Sequence, residues 1–168
     1  MEQQTKRFVI AVYVENKFGV LTRVTGMFTR RGFNIDALAV GETESADFSR
    51  ITITFTGDSY AKEQLVNQLN KLHNVKMVDV LDDSCIKRQL MLLKVAYTSE
   101  TRAEILAATE VYRAKVIDYT TGEMCIEVTG DPSKIDAFIA LMKPFGILEM
   151  CRTGIVALER GAKTLLKK

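Results

Sequence analysis

A chain of 168 residues is long enough for one large or two small domains. Its composition, 47% hydrophobic and 26% charged with a net charge of +2, is that of an ordinary globular protein with a real core. Neither half carries the dense basic patch of a nucleic-acid surface. No apolar run reaches the ~18–20 residues that span a bilayer, so no nucleic-acid or membrane partner is expected. The opening residues lack a signal peptide's order of charge, apolar core and cleavage site, which makes a cytoplasmic location the expectation. Cys85, Cys125 and Cys151 are odd in number and widely spaced, so neither a disulfide framework nor a zinc knuckle is indicated.

In chain order, residues 7–14 read as a buried strand. Residues 18–31 read as a helix with Leu21, Val24 and Phe28 on one stripe, widened by Val20 and Met27. Gly32 stops that helix. Residues 33–40 and 48–55 form a hairpin around the polar connection Gly41 to Asp47. Thr56-Gly57-Asp58-Ser59 caps a second helix with Leu65, Leu69 and Leu72 on one face, and residues 75–81 form a fourth strand. This β-α-β-β-α-β order is the ferredoxin-like motif, an α+β fold whose sheet is covered on one face by two helices.

The second half repeats the order. Strand-like residues 90–96 precede a helix over 102–113 with Ile105, Leu106, Thr109 and Tyr112 inward. A hairpin turns at 120–123, and Asp131-Pro132 opens a helix with Ile135, Phe138, Ile139 and Met142 on one stripe. Residues 147–158 read as a single long strand. The turn Thr56-Gly57-Asp58 recurs as Thr129-Gly130-Asp131, each time opening the second helix of its half. Two domains are expected, 1–83 and 84–168, although the pattern also admits one eight-stranded sheet across both halves.

Reaction machinery is scarce. His73 is the only histidine, and one histidine without clustered cysteines or carboxylates makes no zinc site. Nucleotide-phosphate loops and a serine nucleophile elbow are missing from the pattern. The acids Asp79, Asp82 and Asp83 read as a solvated linker. The chemical feature is the turn after the first strand. Asn16 stands where a helix cap belongs and Gly19 at the beginning of the first turn. The first amides of a helix lack intrahelical partners and carry the positive end of its dipole, which suits a carboxylate. Asn34 adds a second amide side chain able to donate and accept. A folded chain with one small carboxylate site and no reaction machinery reads as a sensor.

The run Glu15-Asn16-x-x-Gly19-Val20-Leu21-x-Arg23-Val24, followed by Arg31-Gly32-Phe33-Asn34-Ile35 and Ser49-Arg50-Ile51-Thr52, resembles the N-terminal ACT domain of acetolactate synthase (acetohydroxyacid synthase) small subunits. Ile117-Asp118 and the segment Arg152 to Gly161 extend the resemblance over nearly the whole chain. It implies that domain 1–83 is an ACT domain that binds an effector and dimerises, and that domain 84–168 is the C-terminal domain of the small subunit. It further implies a non-catalytic regulatory subunit of branched-chain amino-acid biosynthesis. Such a subunit activates a catalytic large subunit and confers feedback inhibition by a branched-chain amino acid, typically valine. Asn16 and the amides at Gly19, Val20 and Leu21 would meet the effector from one subunit, Asn34 and Ile35 from the other, with Val20, Leu21 and Ile35 as apolar lining. Thiamine diphosphate, magnesium and FAD would belong to the catalytic subunit and none to this chain. The alternatives are a free-standing ACT-type amino-acid sensor or transcriptional regulator and, third, a small ferredoxin-like enzyme.

Overall fold

A computed structural model describes residues 5–166. The first strand, β1 (Lys6–Glu15), leads to helix α1 (Val20–Arg30). The hairpin β2 (Ala37–Glu42) and β3 (Phe48–Gly57) follows, then α2 (Ser59–Leu69) and β4 (Val75–Val80). The second set is β5 (Ile86–Ala96), α3 (Arg102–Val111), β6 (Lys115–Thr120), β7 (Glu123–Gly130), α4 (Pro132–Met142) and β8 (Ile147–Arg152), and a short strand β9 (Val156–Leu158) closes the series. Two separate antiparallel sheets result, ordered β2-β3-β1-β4 and β6-β7-β5-β8. The two ferredoxin-like βαββαβ domains are present, and the single eight-stranded sheet is not.

The described residues divide into two compact units, 5–86 with 154–166, and 87–153. The second unit starts within a few residues of the expected boundary. The segment after 153 lies with the first unit, whereas the division at 83/84 places it in the second. The long strand expected over 147–158 is accordingly broken between β8 and β9.

The cause lies in β1. Ile10, Val12 and Val14 face the helices and pack with Val24 and Phe28 of α1 and Leu65 and Leu69 of α2. Val9, Ala11 and Tyr13 face the other way and are also buried, against Leu81, Cys85, Ile155, Ala157 and Leu165. A strand buried on both faces reads as a continuous apolar run rather than an alternation. The C-terminal segment supplies the second cover. Arg50 on β3 pins it by donating from Nη2 to the Ala157 carbonyl at 2.8 Å. Burial lowers the guanidinium's pKa, with Asp79 opposing. Lys163 pairs with Asp82 at 2.9 Å and Lys6 with Asp83, so those linker acids serve as ion-pair partners.

Local details follow from packing. In α1 the buried residues are Val20, Val24 and Phe28; Leu21, expected on the inward stripe, is 41% exposed. In α3 Ile105 and Thr109 are buried while Leu106 is exposed. Leu72 lies beyond the end of α2 and packs half-buried from the loop. Both repeated turns act as caps: Asp58 accepts from the Ala61 amide at 2.7 Å and Asp131 from the Lys134 amide at 2.9 Å.

Gly154 marks the return of the chain to the first unit. A Cβ there would stand 2.4 Å from the Leu38 carbonyl oxygen on β2, and backbone cannot swing aside as a side chain can. Gly154→Ala is expected to cost about 1–3 kcal/mol, read as a lowered urea midpoint with unchanged slope. Gly41→Ala, whose Cβ would meet nothing within 4 Å, is the control and should stay within about 0.5 kcal/mol of the unsubstituted chain. Equal losses at both positions would remove close approach as the cause.

Candidate functional site

The turn between β1 and α1 differs from the simple cap that Asn16 suggests. Gly19 is the N-cap, in the left-handed conformation at φ 77°, and no side chain caps the helix. A residue with a Cβ resists that conformation. The Val20 amide reaches the Lys17 carbonyl at 3.3 Å, and the first i to i−4 bond is Arg23 N–H to Gly19 C=O at 3.1 Å. The amides of Leu21 and Thr22 between them are at the position where helices leave donors without intrahelical partners.

Asn16 is displaced from the cap because the β2–β3 hairpin holds it. Its backbone N–H donates to the Asp47 carbonyl at 2.7 Å. Its Nδ2 donates to the Ala46 carbonyl at 3.0 Å and to Glu42 Oε1 at 3.2 Å. The hairpin tip is itself braced by Thr43 Oγ1, which donates toward the Ser45 and Phe48 carbonyls and accepts from the Ser45 amide.

Of the other expected site residues, Val20 has its side chain in the core and offers only its backbone to the turn. Leu21 is exposed at the first turn of α1, and Phe18 beside it is fully exposed. Asn34 is exposed and Ile35 half-buried against the core, both in the irregular segment before β2 rather than in the strand. Gly19 and Asn34 lie at opposite ends of α1, whose 11 residues span about 16 Å. A single copy therefore does not bring Asn16 and Gly19 together with Asn34 and Ile35. Of the four expected positions at the turn, Gly19, Val20 and Leu21 are consecutive and Asn16 precedes them by three residues.

Sequence reasoning assigned no role to the charged network beneath the turn. The Glu15 carboxylate, only 15% exposed, receives Lys17 at 2.9 Å and Lys76 at 2.7 Å, and Asn74 Nδ2 at 2.7 Å. These donors, led by Lys76, hold its pKa down at about 2, against an ordinary value of 4.5. A cleft of about 150 Å³ opens alongside, lined by Val20, Arg23 and the loop residues 71–75 that include His73. His73 is exposed in that loop rather than in α2. The only sequence signal for the network is the acid Glu15 at the end of an apolar strand.

At the equivalent turn of the second unit the Thr98 amide donates to Thr101 Oγ1 at 2.9 Å and the Thr101 amide to Thr98 Oγ1 at 3.2 Å, a reciprocal arrangement just before α3, which like α1 has no side-chain cap. Among the described residues no group of three or more His, Cys, Asp or Glu side chains could hold a metal ion, and no helix is long and apolar enough to cross a membrane.

Two βαββαβ domains, the first with an open strand-to-helix turn, define the class of ACT-type regulatory proteins. Residues 10–77 match the AHAS small subunit-like ACT domain, and residues 88–161 match the family described as the small subunit of acetolactate synthase. An acetolactate synthase small subunit of Mycolicibacterium smegmatis is 43% identical, over 97% of this chain and 96% of its own length. That of Aquifex aeolicus is 46% identical, over 94% and 83%. A crystal structure of the small subunit from Thermotoga maritima superposes with a TM-score of 0.87 at 37% identity, over 94% of this chain and 99% of that one. The chain belongs to the acetolactate synthase small-subunit family.

The lowered pKa of Glu15 has a defined pH signature. Because the folded value lies below the unfolded one, the carboxylate's contribution is fully present above pH 4.5 and disappears as pH falls toward 2. Carboxyl NMR of the folded chain should give a Glu15 midpoint near 2. A midpoint near 4.5 would mean that the network does not persist in solution.

Proposed function

We propose that this chain is the regulatory subunit of an acetolactate synthase, without catalysis of its own. It activates a separate catalytic large subunit that carries thiamine diphosphate, magnesium and FAD, and it confers feedback inhibition by a branched-chain amino acid, with valine as the first choice. It works in the cytoplasm as a dimer through its first domain. Family membership supports the subunit role. The observation that carries the effector site is the start of α1, where Gly19 caps without a side chain and the amides that follow point out of the helix.

The chemistry of an amino acid matches that turn. Its carboxylate suits the helix N-terminus. Its ammonium group suits the amide oxygens of Asn16 and Asn34, with the Glu42 carboxylate beside Asn16. Leu21 and Ile35 offer apolar surface for a branched side chain. The separation of Asn34 from Gly19 along α1 favours a site completed by a second copy. The position of β2 at the end of its sheet, with β3 as its strand partner among the described residues, favours the same arrangement. By linkage, valine inhibits only if it binds the inhibited assembly more tightly than the active one.

Valine at a hundredfold its dissociation constant stabilises the folded chain by about 2.7 kcal/mol, which raises the melting midpoint by roughly 5–10 °C for this length. Gly19→Asp, which sets a carboxylate at the anion site, should abolish that shift and the inhibition while the catalytic subunit is still activated. Gly19→Ala separates backbone strain from charge. A two-copy site makes a sharper forecast: Asn16→Ala and Asn34→Ala each lose the valine response, and mixing the two variants regains part of it, because a mixed dimer contains one intact site. Mixtures that stay silent while exchanging subunits would place both asparagines in the same half.

A further inference from the structure

Asn74 lies in the connection between α2 and β4, belongs to none of the motifs singled out in the sequence, and is 9% exposed. Three of its polar atoms are engaged, and each engagement leads to the turn. Its carbonyl accepts the Glu15 amide at 2.9 Å. Its Nδ2 donates to Glu15 Oε2 at 2.7 Å, and its Oδ1 accepts from Arg23 Nη1 at 2.7 Å. Glu15 is the last residue of β1, immediately before Asn16. Arg23 is the residue whose own amide closes the first helical bond onto Gly19. One side chain thus joins the strand end to the helix start across the turn that they flank.

The position calls for an amide. It must donate to an anion with one atom and accept from a cation with the other, and a carboxamide does both. Aspartate would accept from Arg23 but set a carboxylate against Glu15. An apolar residue of similar size would remove this donor from Glu15 and this acceptor from Arg23 in a part-buried setting.

We infer that Asn74 is a positioning residue for effector binding. Through Glu15 and Arg23 it fixes the start of α1 against the end of β1, and so sets where the Leu21 and Thr22 amides point. It touches no effector itself. The inference rests on the reading of the β1–α1 turn as the effector site.

The test exchanges the polarity of one hydrogen bond in the full chain. Asn74→Asp removes the donor to Glu15. Adding Glu15→Gln restores the connection in reverse, with the glutamine amide donating to the new carboxylate while Arg23 keeps its acceptor. L-Valine affinity is measured by calorimetry, beside the melting midpoint of each variant. Asn74→Asp should weaken valine at least tenfold, and the double variant should return to within about threefold of the unsubstituted chain. Lys62→Ala, on α2 with its amine over the Phe8 ring and outside this network, should bind valine normally. A merely structural role would lower the melting midpoint and leave affinity where it was. Unchanged affinity in Asn74→Asp, or a folded double variant as weak as the single, would overturn the inference. Should Asn74→Asp not fold, Arg23→Leu cuts the other arm from the exposed side and must also weaken valine; normal affinity there is equally fatal. An unsubstituted chain that gives no heat with L-valine, L-leucine or L-isoleucine overturns the effector reading and this inference together, whereas normal binding in the variants overturns only the inference.

Discussion

The first unit is organised by a strand that is paired along both edges and buried on both faces. β1 is hydrogen-bonded to β3 and β4, its even-numbered residues meet the helices, and its odd-numbered residues meet the C-terminal segment. Such a strand has little freedom to shift, since a slip of one residue would exchange its two buried faces. The turn that follows it therefore starts from a fixed point. In the second unit β5 alternates, with Met91, Leu93 and Val95 buried and Leu90 and Leu92 partly exposed, and two threonines bond to each other in the turn that follows β5.

The rigid start gives the turn its character. Unpaired amides at a helix start bind an anion well only if they do not have to be ordered at the moment of binding. Here the ordering is done beforehand by Glu15, Asn74 and Arg23 on one side and by the hairpin bonds to Asn16 on the other. The hairpin bonds also mean that any ligand competing for the Asn16 side chain would disturb the contacts to Glu42 and Ala46.

Much of this was legible in the chain. The element order, the repeated Thr-Gly-Asp caps and the glycine at the turn depend on residues close in sequence, where period and propensity act. The misreadings share a physical origin in distant contacts. Asn16 has the chemistry of a cap, yet the carbonyls of Ala46 and Asp47, some thirty residues on, take its donors. Leu21 and Val20 are both apolar and adjacent, and only the packed core decides which of them turns inward. The run from Val9 to Val14 read as a buried strand in a sheet covered on one face, and the segment that covers its second face is set by Ile155, Ala157 and Leu165. The pairing of Asn16 with Asn34 follows from the family resemblance alone, because neither residue carries a mark of the other.

The return of residues 154–165 to the first unit also bears on how the protein is made. The second unit, 87–153, is an insertion between two pieces of the first. The first unit cannot finish until its covering segment is made, roughly 3–14 s after residue 86 at about 5–20 residues per second. During that interval Val9, Ala11 and Tyr13 form an apolar strip on a nascent sheet. A growing chain with such a strip is a natural client for a holding chaperone, and a stalled one a natural seed for aggregation. The order of synthesis thus makes the contacts of residues 154–165 the last buried part of the first unit to form.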